Sequence, residues 1–147
     1  MPATVFVDTN VIVYSLDASK KEKQERAAEW MIEAWKSRCG RLSMQVLQEF
    51  YVTVTAKLKP GLDREAARRE VRALTLWRPT PTTSLLLERA SSIQDRFGFS
   101  WWDSMIVAAA QSEGCSYLLT EDMQDSQDLD GLMIVSPFLH TAAEVLR

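Results

Sequence analysis

Apolar positions recur along this chain with two different periods, and the alternation between them outlines a fold. Thr4 to Val7 is a short apolar run rich in β-branched side chains that stops at Asp8-Thr9-Asn10, the pattern of a buried strand ending in a polar turn. Ser19-Lys20-Lys21-Glu22 has the form of a capping box, and Ala27, Ala28, Met31, Ile32 and Trp35 then recur at helical spacing until Gly40 follows the charged end. A brief strand is predicted over 41–43. Ser43 caps a second helix with Val46, Leu47, Phe50 and Val54 on its apolar face, and Pro60-Gly61 ends it. Asp63 caps a third, whose surface is laced with Arg64, Glu65, Arg68, Arg69, Glu70 and Arg72. Residues 77–82, with two prolines, read as an extended connector or short strand. Leu86, Leu87, Ala90 and Ile93 face inward from a helix over 84–96 that Gly98 terminates. Ser100 caps the next, over 101–113, which ends at Gly114. Tyr117 to Thr120 is a second buried strand, 121–130 an acidic loop, Leu132 to Val135 a last strand, and Pro137 opens a terminal helix.

Strands alternating with helices from one end to the other predict an α/β fold with a mainly parallel sheet. No linker, internal repeat or composition shift divides the chain, so residues 1–147 read as one domain. Two cysteines, Cys39 and Cys115, make neither a disulfide framework nor a zinc site, and the lone His140 excludes a histidine-based metal cluster. No apolar stretch approaches the ~18 residues of a membrane span. The first residues lack the basic segment and apolar core of a leader, so a reducing, cytoplasmic setting is expected.

In open α/β sheets ligands bind beyond the carboxyl ends of the strands. Asp8 closes the first strand, Glu121-Asp122 follows the one ending at Thr120, Asp103 lies in the first turn of its helix, and Glu49 sits between Leu47 and Phe50. Singly, each has a bland reading: Asp8 as a turn former, Asp103 as a helix-start acid, Glu49 as a solvated helix residue, and Glu121, Asp122 and Asp125 as surface loop. Jointly, four acids converge on one mouth, where their repulsion calls for a cation. Oxygen-only ligation suits Mg²⁺ or Mn²⁺.

Four blocks of sequence carry a resemblance: Phe6-Val7-Asp8-Thr9-Asn10-Val11; Ser43 to Phe50, Ser-Met-Gln-Val-Leu-Gln-Glu-Phe; Trp101 to Ala110, Trp-Trp-Asp-Ser-Met-Ile-Val-Ala-Ala-Ala; and Leu118-Leu119-Thr120-Glu121-Asp122-Met123. In order and spacing they resemble the PIN domain, more narrowly the VapC-type toxins of prokaryotic toxin–antitoxin pairs. The resemblance implies a three-layer α/β/α sandwich and a Mg²⁺- or Mn²⁺-dependent endoribonuclease. It further implies a homodimer silenced by a cognate antitoxin. It makes Asp8, Glu49, Asp103 and Asp122 the acidic quartet that holds metal, with Thr9, Asn10 and Thr120 orienting it or binding the attacking water. Glu121 and Asp125 lie close enough to share the role of Asp122.

Two other function classes compete with the nuclease. One is a noncatalytic PIN-like scaffold that grips RNA or a protein, against which the complete quartet counts. The other is a receiver-type phosphoacceptor, which needs a lysine after a late strand, whereas no lysine follows Lys59. DNA in place of RNA stays open, since such a site acts on a phosphodiester either way. Trp101-Trp102 could stack on bases, although at least one is expected to pack inward. His140 is expected in a surface or packing role.

Charge enters last. Seventeen Lys and Arg against twenty Asp and Glu leave a net charge of -3, which by itself argues against a nucleic-acid partner. If the quartet supplies -4 of that sum and is neutralised by metal, the remainder is close to neutral, and RNA binding should weaken when metal is removed.

Overall fold

The computed structural model describes residues 3–146; Met1, Pro2 and Arg147, at the ends of the expected 1–147 domain, lie outside the described residues. Strand β1 (Val5–Val7) is buried on both faces, which is why it reads as an unbroken apolar run. It belongs to a five-stranded sheet of order β2-β1-β3-β5-β4, the others being β2 (Gly40–Arg41), β3 (Tyr117–Leu119), β4 (Asp128–Leu129) and β5 (Leu132–Val135). All neighbours are parallel except β4, which runs antiparallel to β5. Val7 stands opposite Leu119, and Leu119 opposite Val135, so β1, β3 and β5 end level with one another. The residues that follow them share one edge of the sheet.

Helices α1 (Thr9–Ser15) and α2 (Lys21–Lys36) connect β1 to β2. Four α-helices then connect β2 to β3, α3 (Met44–Val52), α4 (Arg64–Leu74), α5 (Ser84–Phe97) and α6 (Trp101–Ser112), with a π-helical segment (Thr53–Lys57) after α3 and a 3₁₀ turn (Thr75–Trp77) after α4. The first connection moves outward along the sheet and the second returns past β1. Right-handed crossovers in opposite directions place the two sets of helices on opposite faces, which is the three-layer α/β/α sandwich predicted. Helix α7 (Ala142–Val145) follows β5. Trp30, Phe6, Phe50 and Leu118 are among the largest side chains fully enclosed between the layers.

Local chemistry explains most of the boundaries. Ser43, Asp63 and Ser100 accept from the backbone N–H groups of Val46, Ala66 and Asp103, as helix caps should. Gly98 and Gly114 close α5 and α6 at φ 74° and 68°, the left-handed region that costs glycine least.

Several expectations need correction. Asp8-Thr9-Asn10 is not a turn: α1 begins at once, with Asp8 as its N-cap accepting from the Thr9 N–H at 2.7 Å. The β-branched run Val11-Ile12-Val13 disfavours a helix by propensity, and burial of Val11 and Ile12 overrides it. The capping box at Ser19 does not form, because its hydroxyl donates to Asp17 at 2.6 Å and α2 starts at Lys21 without a side-chain cap. Helix α2 is also rotated from the expected face: Ala27, Trp30, Met31 and Ala34 are buried, while Ile32 is 66% exposed. Leu87 on α5 faces outward as well. Strand β2 lies one to two residues earlier than expected, and Gly40 belongs to it. The acidic loop contains β4, paired through the Asp130-Gly131 turn to β5. Pro137 sits in a turn, and the last helix waits for the capping box of Thr141 and Glu144.

Candidate active site

The carboxyl ends of β1 and β3 deliver Asp8 and Thr120 side by side. Both are buried, and the Thr120 hydroxyl donates to Asp8 Oδ2 at 2.9 Å. Asn10, the second residue of α1, reaches across with its amide nitrogen to Asp8 Oδ2 (3.3 Å), Thr120 Oγ1 (3.1 Å) and Asp122 Oδ2 (3.0 Å). Its carbonyl oxygen accepts from the Glu121 N–H at 3.2 Å. The Asp122 N–H donates to Thr120 Oγ1 at 3.1 Å. One asparagine therefore fixes the start of α1 to the loop after β3, 110 residues away in sequence.

Burial is the main force on Asp8. It lifts the carboxyl from its ordinary 3.8 to about 7, against the hydrogen bonds from Thr120 and Thr9, and the charges of Asp122 and Glu49 push it further up. Asp103, half-buried at the start of α6, is also raised, by burial and by the charge of Asp122, with a hydrogen bond to Ser100 opposing. Glu49 and Asp122 both act on Asp8, and Asp122 also acts on Asp103.

The structure separates the two reserve acids from this group. Glu121 pairs with Lys23 of α2, and although burial works the other way, that ammonium helps hold it below its ordinary value. Asp125 accepts from the Ser136 N–H at 2.7 Å, from Ser126 Oγ at 3.0 Å and faces His140 Nε2 at 2.9 Å. Against the effect of its own burial, these partners lower it. His140 thus fastens the turn after β5 to the preceding loop and lies before α7, not within it.

Gln45 was not singled out from sequence. It is buried on α3, donates to Glu49 Oε1 at 2.7 Å and lies 3.5 Å from the Trp102 carbonyl, linking Glu49 to the turn that carries Asp103. Its spacing of four from Glu49 was the available signal. Trp101 packs against the core, whereas Trp102 is 63% exposed beside Asp103.

The fit of a metal to these residues can be judged from the donors. All are oxygens, the carboxylates raise one another's proton affinity, and the buried hydroxyl of Thr9 next to Asp8 has no partner among the described residues. That donor set fits a hard divalent cation. As they stand, however, no three of these groups form a ready ligand shell among the described residues.

Comparison with known proteins identifies the family to which the fold belongs. The PIN domain family model matches residues 5–129, and the chain belongs to that family. No curated protein sequence matches it. Among solved structures it is similar to a toxin–antitoxin complex from Klebsiella pneumoniae, with 19% identity, a TM-score of 0.58, and 91% of this chain and 98% of that one covered. VapC20 of Mycobacterium tuberculosis, a sarcin–ricin loop cleaving toxin, has 20% identity and a TM-score of 0.58 over 78% of this chain and 87% of its own. VapBC2 of Rickettsia felis, bound to a promoter DNA fragment, has 13% identity and a TM-score of 0.58 over 90% and 98%. At such identities the likeness is one of fold.

Proposed function

We propose that this chain is a divalent-metal-dependent endoribonuclease and the toxin of a toxin–antitoxin pair, residues 1–147 working as one PIN domain. The observation that carries this reading is the buried Asp8, tied through Thr120 and Asn10 to Asp122 and raised in proton affinity by the charges of Asp122 and Glu49. These residues would hold Mg²⁺ or Mn²⁺, which when bound neutralises phosphoryl oxygens and activates water. The chain's own part is positioning. Thr120 and Asn10 fix the orientation of Asp8, Asn10 also steers Asp122, and Gln45 holds Glu49 where it can accept a proton at the mouth of the site. Thr9 adds a hydroxyl, whereas the ties of Glu121 to Lys23 and of Asp125 to His140 argue for structural roles. Trp102 offers an exposed indole on which a base beside the scissile bond can stack.

The toxin role, the antitoxin partner, the homodimer and the cytoplasmic setting rest on likeness to toxin–antitoxin structures and on exposed apolar side chains. Met44 and Val52 on α3 line a groove of about 450 Å³ against α4, and Ile32 stands exposed on α2. Among the described residues no helix is long and apolar enough to cross a membrane.

The deciding experiment compares purified wild type and Asp8→Asn on total RNA, with Mg²⁺ or Mn²⁺ and with EDTA. Wild type should cut only with metal, and the variant should lose more than about 100-fold. Cleavage that survives both Asp8→Asn and EDTA would overturn the reading. Binding without cleavage under either ion would leave the noncatalytic scaffold.

A further inference from the structure

A second cavity, of about 650 Å³, opens at the opposite end of the sheet from the acid cluster, against the outer strand β2. Gly40 pairs with Val5, at the entry end of β1, whereas Asp8 follows its exit end. Three residues of strand separate the two, about 10 Å. The cavity has two kinds of wall. One is aromatic: the Trp35 and Trp77 rings lie 5.2 Å apart at 58° to each other. Trp77 rests directly on the backbone of Gly40, where an added Cβ would come within 2.5 Å of the ring. Glycine is therefore what lets the indole seat there.

The other wall is cationic. Arg38, Arg41 and Arg78 line it against a single acid, Glu113, which accepts from the Thr80 hydroxyl at 2.8 Å. Arg41 is partly occupied, since its guanidinium donates to the carbonyls of Arg38 (3.2 Å) and Gly40 (2.8 Å). Arg38 and Arg78 are exposed and pair with no carboxylate among the described residues. Both also sit in the left-handed region, at φ 56° and 55°, a conformation that costs a residue with a side chain about 1 kcal/mol or more. The end of α2 makes the contrast plain. Cys39 N–H donates to the Ala34 carbonyl around Arg38, just as Cys115 N–H donates to the Ala110 carbonyl around Gly114 at the end of α6. The same cap takes glycine in one place and arginine beside this cavity in the other. Lys36 already supplies a basic residue to the last turn of α2, so Arg38 is not needed for the helix dipole.

Indole faces beside unpaired guanidinium groups, in a cavity within the ~300–1,000 Å³ range of small-ligand sites, have the chemistry of a nucleotide: a base to stack and a phosphate to neutralise. We propose that this cavity is a second RNA contact, stacking an unpaired base on Trp35 and Trp77 and holding its flanking phosphates with Arg38 and Arg78. The choice of RNA rests on the ribonuclease reading. The contact itself needs no metal, so it should carry the binding that remains when the acid cluster is bare.

The test is equilibrium binding of a short fluorescein-labelled oligouridine in EDTA, measured over a range of salt. Arg38→Gly with Arg78→Gly removes both charges while suiting the left-handed backbone, so the fold is kept, and thermal melting checks this. The double variant should bind about 10-fold more weakly, and its log–log salt slope should fall by about 1.4, two phosphate contacts on a single strand. Arg38→Lys with Arg78→Lys should retain the slope. Trp35→Ala should weaken binding with the slope unchanged, since stacking releases no counterions. Wild-type affinity and slope in the glycine variant would overturn the proposal. A loss in the arginine variant alone, with Trp35→Ala binding as wild type, would overturn it too, because the surface would then be merely electrostatic. Absence of RNA cleavage by wild type under either ion would sink the ribonuclease reading and leave this binding measurement standing on its own.

Discussion

Asp8 is placed where its charge is penalised. Burial and two acidic neighbours raise its carboxyl to about 7, so the proton favours the folded state. An acid whose folded pKa is raised stabilises least at high pH: stability falls as pH climbs from about 4 through about 7. In EDTA, Asp8→Asn should therefore melt above wild type at pH 8, by on the order of 4 kcal/mol at most, with the difference shrinking toward pH 5. A variant melting at or below wild type at pH 8 would contradict this account. Trp102 tests the other side of the site. If its exposed indole stacks on substrate, Trp102→Ala should raise KM for a short RNA several-fold with kcat nearly unchanged. Asp8, Asp103 and Asp122 stood out as candidates because each falls beside a strand end or helix start, and Glu49, inside α3, because it stands between Leu47 and Phe50. The ties of Asp125, Glu121 and Asn10 were not legible, because their partners lie on elements 11 to 112 residues away in sequence.

Element boundaries were legible wherever a local cap decides them, and illegible where packing does. Ser43, Asp63, Ser100, Gly98 and Gly114 act as their residue types predict. Helix α1 hid because Asp8-Thr9-Asn10 read as a turn and the β-branched Val11, Ile12 and Val13 disfavour a helix, and the face of α2 was misjudged because Trp30 enters the core in place of Ile32. β4 hid because two residues of strand inside an acidic stretch leave no periodicity. Asp63 allows a clean separation of stability from activity, since α4 supplies none of the acids. Asp63→Ala leaves the Ala66 N–H without its 2.8 Å partner and should cost about 1 kcal/mol. A urea melt should report that loss, while cleavage at 25 °C should stay within two-fold of wild type.

At the scale of the molecule, the net charge of -3 is a poor guide to partners, because charge is unevenly placed: Arg38, Arg41 and Arg78 line one cavity against a single acid, Glu113. Adding Mg²⁺ should raise the melting temperature of wild type and not of Asp8→Asn, with about 2.7 kcal/mol of stabilisation at a hundred times the dissociation constant. Equal stabilisation of both would place the ion elsewhere.

The hydrogen bonds that join Asp8 and Asn10 to Thr120 and Asp122 also have a temporal meaning. A ribosome synthesises the first acid early and the partners that orient it late, at about 5–20 residues per second. Until β3 and the loop after it have emerged, a nascent chain carries Asp8 and Glu49 with nothing to bring them to order. An enzyme built on this plan would stay inert until residues 117–122 had left the ribosome and joined Asp8 and Asn10.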